Sequence, residues 1–139
     1  MLLFTNPNGL YSIEYPSSYG VSYEDDILSI TPQQGNSCLT ISSHHFSDGI
    51  DDLKFASLFQ KLTLKYEAIQ QPLFLSEDII LQRLNNVRPN SEGDVVTTFW
   101  TICLYRKGKN MLVISVNVPG EENQSVFGEY EHILNSISL

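Results

Sequence analysis

The residues whose types could do chemistry gather near position 50. His44 and His45 offer imidazole nitrogens, and Asp48, Asp51 and Asp52 follow with carboxylate oxygens, a donor set suited to a divalent metal at the mouth of a helix. Their spacing argues against it. Adjacent histidines on a strand point to opposite faces, and neither an HxH nor an HxxxH pair occurs, so a solvated strand end is the expectation and no metal is assigned. Glu24, Asp25 and Asp26 bring three carboxylates together but lack the alternating oxygen ligands and distal glutamate of a calcium loop. A hairpin turn is expected there. Sixteen scattered acids single out no acid–base pair, and there is no GxSxG, Walker loop or GxGxxG. No catalytic residue and no cofactor is therefore expected. Asn123-Gln124-Ser125 is a glycosylation triplet that matters only in a secreted chain.

Two groups of side chains suit binding better than catalysis. Tyr11, Tyr15, Tyr19 and Tyr23 alternate along the early strands, and with Trp100 they form a set of amphipathic aromatics that can serve either as core or as a binding face. If the early strands leave one sheet face uncovered, these tyrosines are placed to receive a partner's hydrophobic segment. Lys54, Lys61 and Lys65 recur along one side of a helix in an otherwise acidic chain. A solvated helix face is their ordinary role. As a docking face they imply an acidic partner and a salt-dependent association.

Length and composition fit one domain spanning residues 1–139, with 42% hydrophobic residues to form a core. Eight Lys plus Arg against sixteen Asp plus Glu give a net charge of -8, which opposes the phosphate backbone and anionic membrane surfaces. Nucleic acid is excluded as an expected partner. No apolar run reaches membrane-spanning length and the first residues have no signal-peptide pattern, so a cytoplasmic chain is expected. Cys38 and Cys103 each fall inside a strand and read as two buried free thiols. They can pair only if their strands are neighbours.

The elements that must position these residues centre on Val95 to Val118, a long β-hairpin turning at Arg106-Lys107-Gly108-Lys109-Asn110. Val96, Thr98, Trp100, Ile102 and Leu104 share one face, and Val95, Thr97, Phe99, Thr101, Cys103 and Tyr105 the other. Leu112, Ile114, Val116 and Val118 oppose Met111 and Val113 in the second arm. Apolar side chains on both faces place this hairpin centrally, covered on both sides. The basic turn is expected to be exposed.

Before the hairpin, four short strands are expected: Leu10 to Pro16, Tyr19 to Tyr23, Ile27 to Thr31 and Ser37 to Ser43. Phe55, Leu58, Phe59, Leu62 and Tyr66 then recur at helical spacing, which predicts an amphipathic helix from about Ile50 to Glu67. Residues 73–86 fit helix or strand, and a strand leading into the hairpin is the preferred reading. Asn90 to Asp94 is a surface loop by composition. After Pro119-Gly120, a second helix is predicted from Glu121-Glu122 onward, with Phe127, Tyr130, Leu134 and Ile137 on its apolar side.

Together, the opening Asn8-Gly9-Leu10-Tyr11-Ser12-Ile13-Glu14-Tyr15-Pro16, the single long helix, the Trp100-bearing hairpin, and the endings Val113 to Pro119 and Glu131 to Ile137 resemble the PsbP-like superfamily. The resemblance covers nearly the whole chain. It implies an α+β fold, an antiparallel sheet flanked by helices in an α/β/α sandwich. Members of that superfamily include extrinsic photosystem proteins, a Ran-binding transport factor, chaperones for secreted effectors and many small bacterial proteins. They share binding to other proteins rather than a reaction, and no member's contact residues carry over to positions here.

The expectation is therefore a small bacterial, non-catalytic protein-binding module of chaperone, immunity or accessory type. The alternative is a metal- or small-molecule-dependent enzyme with a cleft near His44.

Overall fold

The computed structural model describes residues 1–89, 91–120 and 125–139. The hairpin is present as expected, with β9 at Val95–Lys107 and β10 at Asn110–Pro119. Its turn is tighter than the sequence suggested. Arg106 and Lys107 still pair with Met111 and Asn110, which leaves Gly108 and Lys109 to reverse the chain, and Gly108 supplies the positive φ.

The remaining strands add antiparallel to that centre. In chain order they are β1 (Leu2–Thr5), β2 (Ser12–Tyr15), β3 (Gly20–Glu24), β4 (Ile27–Thr31), β5 (Cys38–His45), β6 (Glu67–Ala68), β7 (Leu73–Ser76) and β8 (Ile79–Pro89). The large sheet runs β3-β4-β5-β10-β9-β8-β6, with β7 beside β6 on the outer side of β8. β1 and β2 form a separate two-stranded ladder. Between β3 and β4, Asp25 and Asp26 both take positive φ, the signature of a type I′ hairpin turn. The acidic triplet is thus a turn.

The sequence missed β1 and β6, while residues 73–86 hold two strands rather than the single one preferred, β7 and β8, joined by a turn at Glu77-Asp78, with β8 running on to Pro89. The first helix, α1, covers Asp52–Thr63, inside the expected Ile50–Glu67. The Asp51 side chain caps it by accepting from the Lys54 N–H at 2.7 Å. The second, α2, covers Ser125–Asn135. Its predicted start at Glu121-Glu122, like Asn90 and most of the glycosylation triplet, lies outside the described residues.

Pleating divides the core into two clusters. Ile102, Leu104 and Met111 pack with Ile80, Leu84 and with Phe55 and Phe59 of α1. Their neighbours along the same strands, Cys103, Leu112, Ile114 and Val116, pack with Tyr130 and Ile133 of α2 and with Tyr11 and Ile13. The two apolar faces read from the sequence are therefore both used.

α1 runs alongside β9 from Arg106 to Trp100. The Arg106 guanidinium lies 4.6 Å from the Phe55 ring near the start of the helix, and the Trp100 ring lies 5.2 Å from that of Tyr66 just past its end. Twelve residues of helix reach about 18 Å, whereas the 13 residues of β9 extend about 43 Å. The outer end of the β8–β9 hairpin thus extends past the helix.

Candidate functional site

The structure does not bring the chemical candidates near position 50 into one site. His44 Nε2 lies 3.0 Å from Ser42 Oγ, and His45 Nδ1 lies 3.0 Å from Asn110 Oδ1, both at an exposed strand end. Asp51 is the α1 cap, and Asp52 accepts from Arg106 at 2.8 Å. Asp48 is exposed in the loop between β5 and α1. Among the described residues, no three His, Cys, Asp or Glu side chains gather as a metal cage. Cys38 and Cys103 are free thiols. β10 separates their strands, so the adjacency that pairing requires is missing.

The tyrosine set divides between core and partly covered positions. Tyr11 and Tyr19 are 3% and 8% exposed within the α2-side core, and Tyr15 and Tyr23 are half-buried against it. The physical reason is the β1–β2 ladder, whose Phe4 ring lies 6.2 Å from Tyr11 and 5.4 Å from Tyr23. Tyr19 stands edge-on to Tyr130 at 5.9 Å and donates its hydroxyl to Glu129. Burial, reinforced by that carboxylate, holds its pKa well above the usual phenol range. The missing signal was β1: Leu2 and Leu3 are both exposed, so this strand shows no alternation to read.

The lysines are not equivalent. Lys54 stacks its ammonium 4.3 Å from the Phe46 ring, and Lys61 is exposed near the end of α1. Lys65 lies beyond the helix, with its ammonium 5.2 Å from the Tyr66 ring centre.

Two features that sequence reasoning did not single out are more conspicuous. The first is β7, where Leu73, Phe74 and Leu75 are 47%, 63% and 60% exposed. Among the described residues β7 pairs with β8 on one side only, so its outer edge carries backbone groups with no strand partner there, flanked by apolar side chains. Beside it, Asp52, Phe55, Phe74 and Glu77 line a cleft of about 410 Å³. A run of three apolar residues within a weakly assigned segment was the available signal.

The second lies where β8 and β9 pass the end of α1. Leu84 pairs with Trp100, Asn86 with Thr98 and Arg88 with Val96, so these residues share the α1-side face of the hairpin. With Lys65 and Tyr66 from the end of the helix, Asn86, Arg88, Thr98 and Trp100 line an open cleft of about 520 Å³. Arg88 Nε donates to Asn86 Oδ1 at 3.2 Å. The Trp100 indole Nε1 is buried and has no acceptor among the described residues.

No protein-family model matches the chain, and no curated protein matches it in sequence. Its fold is nevertheless shared with solved structures. The Ran-binding protein Mog1p of Saccharomyces cerevisiae aligns with 99% of this chain and 94% of its own at 13% identity, with a TM-score of 0.68. Cyanobacterial PsbP (CyanoP) of Synechocystis aligns with 99% and 91% at 7% identity and a TM-score of 0.61. A Bacteroides thetaiotaomicron protein matches 98% of this chain at 13% identity and a TM-score of 0.64. The chain spans only 47% of that protein's length. These likenesses establish a PsbP-like fold of mostly antiparallel sheet with two helices.

Proposed function

We propose that this chain is a non-catalytic protein-binding module of chaperone, immunity or accessory type, built as a single α/β/α sandwich. The observation that carries the reading is the β7 edge. Soluble proteins ordinarily blunt edge strands with charge, proline or a covering loop, because an apolar edge recruits another strand. Here Leu73-Phe74-Leu75 is uncharged and uncovered, which suits a partner that extends the sheet and seats side chains beside Phe74. The fold is also shared with the Ran-binding protein Mog1p, which supports a reading as a binding module. Two unpaired thiols suit a reducing compartment such as the cytoplasm.

The test is affinity capture of the tagged protein from its own host's lysate at low and moderate salt, read by quantitative mass spectrometry. The wild type is expected to retain one stoichiometric partner, and a Phe74→Asp variant with unchanged thermal melting is expected to lose it. A wild-type preparation that is clean at both salt concentrations would overturn the reading.

A further inference from the structure

We infer that the cleft between the end of α1 and the outer β8–β9 hairpin is a binding site for an acidic, extended peptide segment of a partner protein. The inference rests on the protein-binding reading and adds a second contact, at the opposite end of α1 from β7.

Charge is the first reason. The protein carries -8 overall with only eight Lys plus Arg, yet Lys65 and Arg88 both line this one cleft, and among the described residues that line it none is a carboxylate. Local charge of the opposite sign to the whole molecule concentrates the attraction for an anionic segment at one place.

Shape is the second reason. The cleft exists because a helix of about 18 Å stops short on strands more than twice as long. It is therefore an open trough above a paired ladder, suited to an extended chain rather than an enclosed pocket. Its floor has an apolar end at Tyr66 and Trp100, 5.2 Å apart, and a polar end at Asn86 and Thr98, which are register partners. A segment repeating two acidic and two apolar residues presents both kinds on the one face it turns to the trough, and so fits both ends. Its carboxylates meet Lys65 and Arg88, where the planar guanidinium can take a carboxylate through two N–H groups. Its apolar side chains meet the two aromatic rings.

Trp100 is the only tryptophan and lines this cleft, so its fluorescence responds to binding there, and the Lys65 and Arg88 variants below separate that response from binding elsewhere. Purified protein is titrated with an eight-residue peptide that repeats Glu-Glu-Val-Val, with its Gln-for-Glu counterpart and with inorganic phosphate. The Glu peptide is expected to shift the emission saturably, at least tenfold more tightly than the Gln peptide, and to weaken as salt rises. The double variant Lys65→Glu with Arg88→Glu is expected to abolish the response, and Lys65→Arg to keep it.

Equal response to phosphate would identify a simple anion site and overturn the inference. So would a peptide response unchanged in the double variant, or none at millimolar peptide. Because no partner is present in the titration, its failure leaves the β7 capture result standing, and loss of capture leaves the titration standing.

Discussion

Arg106 shows how much one side chain can organise. Its Nε donates to Asp78 at 2.9 Å, its Nη2 to Asp52 at 2.8 Å and to the Glu77 carbonyl at 2.9 Å, and its Nη1 to the Ile50 carbonyl at 3.1 Å. It thereby ties the start of α1 and the β7–β8 turn to the end of β9. The sequence placed Arg106 in an exposed basic turn, whereas its side chain is 10% exposed. No local pattern could reveal a partner 54 residues away. Arg106→Ala is expected to cost about 2 kcal/mol in urea unfolding, because charged hydrogen bonds and packing on Phe55 vanish together. Asp52→Ala removes one contact from a carboxylate that is 94% exposed, and is expected to cost about 0.5 kcal/mol or less. Cys103 gives a pH dependence. Burial pushes its thiol from 9.0 up to about 12, so above pH 9 the unfolded chain loses a proton that the folded chain keeps. Stability from this group is complete below pH 9 and falls as pH rises from 9 to 12. Tyr11 and Tyr105, raised from 10.0 to about 12 by burial, add the same trend from pH 10. Melting temperatures across this range are expected to decline from pH 9, with Cys103→Ala making the decline between pH 9 and pH 10 shallower and Cys38, also raised by burial, keeping part of it.

At the scale of elements, the sequence was most legible where periodicity was strong. The alternation of β9 and β10 gave both faces correctly, and the helical spacing of Phe55 and Phe59 identified the buried side of α1. Short or exposed elements were not legible. β6 has only two residues, both exposed, and its place depends on Asn85 and Leu84 opposite. β7 and the start of β8 are continuous apolar runs whose period fits neither element well, and pairing decides them, of β8 with β9 and of β7 with β8. The β3–β4 turn was legible as a turn but not as a strained one. Asp25 and Asp26 sit at φ of 52° and 63°, a region that suits glycine far better than residues with a Cβ. Asp26→Gly is expected to stabilise the protein by about 1 kcal/mol, read as a higher urea midpoint. A lower midpoint would mean that the weak 3.4 Å contact from Tyr23 to Asp26 outweighs the backbone strain.

For the whole molecule, a PsbP-like fold could be read from the order of elements, but the candidate site could not. Both surfaces of interest arise from mismatches between elements: an edge strand without an outer neighbour, and a helix shorter than the hairpin beneath it. Such mismatches depend on lengths and register in three dimensions, so composition and spacing pointed instead to tyrosines that the β1–β2 ladder and α2 largely cover. No helix among the described residues is long and apolar enough to cross a membrane. The most direct test is amide hydrogen exchange of the purified protein, alone and with the partner recovered by capture. Slowing of at least tenfold across Leu73–Ser76 on complex formation is expected, because the free edge amides become paired. Unchanged exchange in β7, with protection confined to the His44 strand end or to α2, would contradict binding through that edge.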